Sequence, residues 1–146
     1  MRTTASMVRT LRAGLLRRTG ASRLARRRLD GTRAAVLNYH RVIDIDTARR
    51  DAVEEGMFVT PETFARHLDC LVAHFRVLPL HEIVARTGRG APLPKRACAI
   101  TFDDGWRDNL VHALPALASR SLPATLFVVT GRMGTLGAFW ADEVCR

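Results

Sequence analysis

Residues 97–102, Ala-Cys-Ala-Ile-Thr-Phe, carry a small or apolar side chain at nearly every position, and the run ends at two adjacent acids, Asp103 and Asp104, followed by Gly105. A strand with one face in water alternates polar and apolar residues. A strand without that alternation is covered on both faces, as in a parallel sheet with other layers packed against it. This one segment directs the chain toward an α/β fold. It also raises a question of charge. Two neighbouring carboxylates at a covered strand end repel each other and lose hydration, a cost that a metal ion or a proton held between them offsets.

The flanking sequence points to the same architecture. Residues 34–43, AAVLNYHRVI, predict a first strand, followed by a polar, acidic stretch to Gly56. Thr60 and Pro61 have the chemistry of an N-cap and a first helical position. Phe64, Leu68, Leu71, Val72 and Phe75 then recur on one helical face. Residues 76–80 predict a short strand, 81–88 a short helix stopped by Gly88, and 96–102 the buried strand. Asp108 or Asn109 caps the next helix, which runs to about Arg120 and is bent or restarted at Pro115. Residues 123–129 predict another buried strand ended by Gly131, and 137–146 the start of a further helix. Strands alternating with helices imply parallel strands and crossover connections, in an open doubly wound sheet or a barrel. Four such units amount to half of a (β/α) barrel, so the domain reads as incomplete.

Charge divides the chain in two. The formal net charge is +9, yet residues 1–33 hold ten arginines against the single acid Asp30, which leaves thirteen residues of each sign beyond residue 33. The sequence therefore separates into an Arg-rich arm, 1–33, expected to be flexible or helical, and a neutral domain, 34–146. Met7, Val8, Leu11, Leu15 and Leu16 share one side of a possible helix in the arm, a pattern suited to an anionic membrane surface. A solvated basic tail is the default reading, and nucleic-acid contact the weakest. Neither a secretory signal nor an apolar span of membrane length is evident, which suggests a cytoplasmic protein or one peripheral at the inner membrane face. Cys70, Cys98 and Cys145 form no CxxC pair, and Cys70 and Cys98 read as small core residues.

Reactive groups of parallel α/β folds collect at the carboxyl ends of the strands, where Asp103 and Asp104 stand. Successive strand residues point to opposite faces, but at the last residue the chain leaves the pleat and Gly105 permits a sharp turn. The two carboxylates then converge on one metal–water unit, one binding the cation and the other taking a proton. The string ITFDDGWRDN (100–109) resembles the first signature of the NodB homology domain, the polysaccharide deacetylase family. VLNYHRV (36–42) is similar to that family's opening strand, LPATLFVVTG (122–131) to the strand after its first helix, and FWAD (139–142) to a segment of one branch. The likeness runs in register from 34 to 146 and is most specific over 96–146.

The resemblance implies an incomplete (β/α) barrel of the polysaccharide deacetylase type, with about four β/α units. It implies metal-dependent hydrolysis of N-acetyl groups on a sugar polymer or oligosaccharide. Asp103 would be the general base and Asp104 the ligand of a divalent cation, most often zinc, with His40, Gly105 and Trp106 as site-lining residues. The family takes two metal histidines from a downstream His-[Ser/Thr]-x-x-His string, and its general acid from a later Leu-x-His. These 146 residues contain neither. The chain by itself is accordingly expected to lack deacetylase activity. His40 either faces the site beside Asp103 or makes a structural hydrogen bond; His67, His74, His81 and His112 read as surface or packing residues. Trp106 and Trp140 either line a sugar cleft or pack, and Arg107 and Asp108 flank and cap a helix. Two other readings remain open: a non-catalytic descendant that binds carbohydrate or a partner, and a carboxylate–magnesium site of a phosphoryl-transfer protein. No Gly-rich phosphate loop accompanies the acids, which counts against the second.

Overall fold

The computed structural model describes residues 29–134. In chain order these form β1 (Ala35–Tyr39), β2 (Arg41–Val42), α1 (Ile45–Arg50), β3 (Phe58–Val59), α2 (Pro61–His74), β4 (Arg76–Val77), α3 (Leu80–Gly88) and β5 (Ala97–Phe102). A π-helical turn, Asn109–Ala113, then runs into α4 (Leu114–Ala118), followed by β6 (Thr125–Leu126) and a 3-10 turn, Thr130–Arg132. Every strand pairing is parallel. β5 is the centre: β1 lies along one edge, from Cys98 to Phe102. The other edge is shared by β4, against Ala97 and Cys98, and β6, against Thr101 and Phe102. β2 and β3 form a separate two-stranded ribbon.

All six residues of β5 are buried, and its two faces go to different layers. Cys98, Ile100 and Phe102 join Tyr39 and Val42 against Phe64, Leu68 and Leu71 of α2 and Leu117 of α4. Ala97 and Ala99 pack with Ile83 of α3 and with Leu93. The missing alternation in the sequence is thus the signature of a strand between two layers. Tyr39, Phe64 and Phe102 meet as an aromatic cluster, Tyr39 and Phe64 edge to face with ring centroids 5.1 Å apart.

Local chemistry sets the element ends. The Thr60 hydroxyl accepts from the Thr63 amide, and Pro61 opens α2, as the sequence indicates. Pro115 has no N–H to give to the helix ladder, and its ring would strike the carbonyl four residues back. The chain answers with a widened π turn just before it, closed by Leu114 N–H donating to the Asn109 carbonyl, and α4 starts afresh at the proline.

Several expectations need correction. The 34–43 strand is two strands, because the chain breaks at His40 and β2 leaves to pair with β3. The polar stretch after it contains α1, capped by Asp44, whose carboxylate accepts from the amides of Asp46 and Thr47. Cys70 is exposed, not a core residue, since it falls on the outer side of α2. Val72 of the expected apolar face is exposed as well. The 123–129 strand pairs through Thr125 and Leu126, with one further bond from Phe127 N–H to the Phe102 carbonyl. It is not buried: Leu126, Phe127, Val128 and Val129 are each 40–50% exposed. The expected helix at 137–146 and most of the Arg-rich arm lie outside the described residues. No helix of the described residues is long and apolar enough to cross a membrane.

His67 is exposed on α2 yet is not merely solvated: its Nδ1 lies 3.2 Å from the Tyr39 hydroxyl. Partial desolvation, aided by the positive charge of Arg66, holds its pKa below the ordinary histidine value. A histidine depressed in the folded state binds its proton more readily in the unfolded chain. Its contribution to stability is therefore complete above the unfolded pKa of about 6.5 and is lost as pH falls through the folded value. Urea midpoints are expected to fall between pH 7.5 and pH 5 in the parent, and to fall less in His67→Gln. Equal slopes for the two proteins would contradict this assignment.

Candidate active site

β1 and β5 run in register, Asn38 beside Thr101 and Tyr39 beside Phe102. The ladder makes one more bond, Asp103 N–H to the Tyr39 carbonyl, and then both chains turn away. In-register neighbours share a face, so Asn38 and His40 point to the same side as Thr101 and Asp103. The side chains meet there. Asn38 Nδ2 donates to Asp103 Oδ2 at 2.6 Å, and the Thr101 hydroxyl donates to Asn38 Oδ1 at 2.8 Å. His40 Nε2 stands 3.7 Å from the same Asp103 oxygen.

Asp104 is held differently. Its φ is +71° and that of Gly105 +74°, two successive residues in the left-handed region. A non-glycine residue there bears a steric cost of roughly 1–2 kcal/mol. The turn throws the Asp104 carboxylate off the strand toward Trp106, whose indole Nε1–H donates to its Oδ2 at 3.3 Å. Arg41 of β2 lies over the Trp106 ring, 4.3 Å from its centroid. The same guanidinium donates to Asp108 Oδ2 at 2.8 Å, and Asp108 Oδ1 accepts the Val42 amide at 2.9 Å. Asp108 sits at a helix start but makes no side-chain cap; its carboxylate clasps β2 instead. Asn109 is turned the same way, its Nδ2 donating to the His40 carbonyl. The expected capping roles of both residues are thus replaced by bonds that tie the acidic loop to the β1–β2 corner. A pocket of about 380 Å³ lies against this clasp, lined by Arg41, Asp44, Thr47, Trp106, Asp108 and His112, and neither Asp103 nor Asp104 lines it.

The sequence-derived residues Asp103, Asp104, Gly105, Trp106 and His40 therefore come together at the carboxyl ends of β1 and β5. His74, His81 and His112 are exposed, and His112 lines the pocket beside Trp106 rather than the Asp103 carboxylate. Asn38, Thr101 and Arg41 were not flagged by sequence. The available signal for Asn38 was a polar side chain inside an apolar strand, on the side that also carries His40. A catalytic zinc usually takes three protein ligands. Among the described residues no group of three histidine, cysteine or acidic side chains is placed to hold a metal. The donors present therefore do not complete a metal site.

Comparison with known proteins gives these residues a context. Residues 90–143 match the sequence model of the polysaccharide deacetylase family. The chain is 32% identical over 111 residues to a poly-β-1,6-N-acetyl-D-glucosamine N-deacetylase of Staphylococcus epidermidis, covering 70% of this chain and 38% of that protein. The fold is similar to IcaB from Ammonifex degensii, with a TM-score of 0.58, 31% identity, and coverage of 70% of this chain and 40% of that one. It is also similar to a de-N-acetylase from Aggregatibacter actinomycetemcomitans, with a TM-score of 0.58 and coverage of 70% and 39%, where 23% identity speaks for the fold alone. The chain spans about two fifths of the length of the relatives it matches. The chain is similar to polysaccharide deacetylases over these segments, and the aspartate-bearing turn falls inside the part that matches the family's sequence model.

The turn generates its own test. A Cβ built on Gly105 would meet Val128 Cγ1 at 3.0 Å, and its φ of +74° disfavours any L side chain. Gly105→Ala is expected to cost about 1–2 kcal/mol from the left-handed backbone alone. Val128→Ala in the same chain relieves the contact but not the backbone, so it should recover only part of the loss in urea midpoint. A fully restored double variant would show that the side-chain contact, and not the turn, demands glycine.

Proposed function

We propose that this chain is the N-terminal portion of a metal-dependent polysaccharide deacetylase, on an incomplete (β/α) barrel, that hydrolyses the N-acetyl groups of an amino-sugar polymer. One observation carries the reading: Asp103 and Asp104 leave a buried parallel strand together, and each receives an N–H donor from a different element. The relative from Staphylococcus epidermidis supports an N-acetylglucosamine polymer as the substrate class.

Amide hydrolysis needs a base for the attacking water and an acid for the leaving nitrogen. Asp103, at the mouth of the strand and half exposed, is the base. His40, 3.7 Å from the same carboxylate, lines the site. The general acid, by the family resemblance, belongs to a later Leu-x-His that these 146 residues do not contain. Asp104 is the metal ligand this chain contributes. A bound divalent cation supplies Lewis acidity toward the acetamide carbonyl and lowers the pKa of its water. All five histidines of the sequence lie within the described residues, at 40, 67, 74, 81 and 112. The remaining ligands are therefore not histidines of these 146 residues. That shortage is also what favours a carbohydrate-binding descendant as the second reading.

Acetate release separates the two. The 146-residue chain is expected to release none from β-1,6-linked N-acetylglucosamine oligomers with zinc present. A longer polypeptide that adds two histidine ligands is expected to release it. In that polypeptide Asp103→Asn should lower kcat on the order of 10²–10⁴-fold, whereas Asp104→Asn should raise the zinc concentration needed for turnover. Turnover by the 146-residue chain that Asp103→Asn abolishes would overturn the ligand count. An unchanged rate in the longer Asp103→Asn variant would overturn the assignment of Asp103 as base, and a longer polypeptide that releases no acetate would overturn the deacetylase reading.

A further inference from the structure

We infer that Asn38 is a positioning residue for Asp103, pinning one carboxylate oxygen so that the other meets the attacking water, and that Thr101 fixes the orientation of the Asn38 amide. The inference rests on the proposed role of Asp103 as base. It goes beyond that role in saying what decides which oxygen acts.

Donors and acceptors leave one consistent arrangement. An ionised carboxylate only accepts, so at 2.6 Å the group of Asn38 facing Asp103 Oδ2 is the Nδ2 amide. Asn38 Oδ1 then faces Thr101, whose hydroxyl donates to it at 2.8 Å, a shorter contact than its alternative at 3.4 Å to the Leu37 carbonyl. Thr101 is 3% exposed and fixed by the paired backbones of β1, β5 and β6. The buried hydroxyl thus sets the flip of a more exposed amide, and the amide sets the rotation of the carboxylate. His40 approaches the same Oδ2, at 3.7 Å. With both neighbours on Oδ2, Oδ1 is the oxygen offered to water. The donor takes some proton affinity from the carboxylate, and in exchange the fixed carboxylate plane avoids the loss that a misplacement of about 1 Å brings.

The test reads the amide directly and needs no turnover. Asn38 and Asn109 are the two asparagines of the sequence, so the 146-residue chain labelled with ¹⁵N-asparagine shows two side-chain amides in a proton–nitrogen correlation spectrum. Asn38 is expected to show one Hδ2 proton displaced well downfield of its geminal partner. Asp103→Ala should abolish the displacement, Thr101→Val should reduce it, and Thr101→Ser, which keeps the hydroxyl, should restore it. The Asn109 amide, bonded to the His40 carbonyl, reports that each variant is folded. Asn38 signals at free-amide positions in the parent would overturn the inference. So would a displacement that survives Asp103→Ala, or one unchanged by Thr101→Val, in a protein whose Asn109 signal is intact. Such failure leaves the deacetylase reading standing, and a failure of acetate release leaves the amide signature standing.

Discussion

The repulsion between Asp103 and Asp104 governs the design around the end of β5. Like charges on adjacent side chains repel more strongly at a protein surface than in bulk water, because the effective dielectric is lower. The fold meets this by separating the two groups chemically. Asp103 keeps the direction of the strand and is bonded by Asn38 from β1. Asp104 turns off it through a left-handed backbone and is bonded by Trp106 from its own loop. Both donors are neutral. They stabilise each carboxylate without adding a counter-charge that would compete with a cation.

Holding that turn in place requires the β1–β2 corner. The chain breaks at His40 so that β1 continues alongside β5 while β2 crosses to β3. The break is clasped by the ion pair of Arg41 and Asp108, whose side chains are 13% and 9% exposed. A pair this buried adds little net stability but is costly to break, because removing one partner strands the other charge. Its value here is positional. Asp108 bonds both Arg41 and the Val42 amide, and Arg41 in turn covers Trp106, the donor to Asp104. One arginine thereby links the second strand to the acidic loop.

Much of this was legible in the residues. The run from Ala97 to Phe102 announced a strand covered on both faces, and its collision with two acids and a glycine marked the turn. Thr60 and Pro61 announced α2. What escaped was relational. Asn38 and Thr101 sit 63 positions apart and become neighbours only through the β1–β5 register. Asp108 has the composition of a helix cap, and local propensity is overruled by the unpaired amide of Val42 and the charge of Arg41. The run from Pro123 to Val129 is apolar enough for a buried strand, yet burial depends on what packs against it, which its own composition does not state. Cys70 and Val72 show the same limit: periodicity gives a helix face, and its edges are settled by how wide the facing layer is.

The proposed function divides the labour between the two acids, assigning metal binding to Asp104 and action on water to Asp103. Zinc-edge anomalous diffraction tests it most directly, on crystals of a polypeptide that includes this chain and the two added histidine ligands. The expected result is an anomalous peak about 2.0–2.2 Å from an Asp104 oxygen, with Asp103 outside bonding distance and still held by Asn38. A zinc ion bonded to Asp103 in place of Asp104, or seated away from both, would contradict the account.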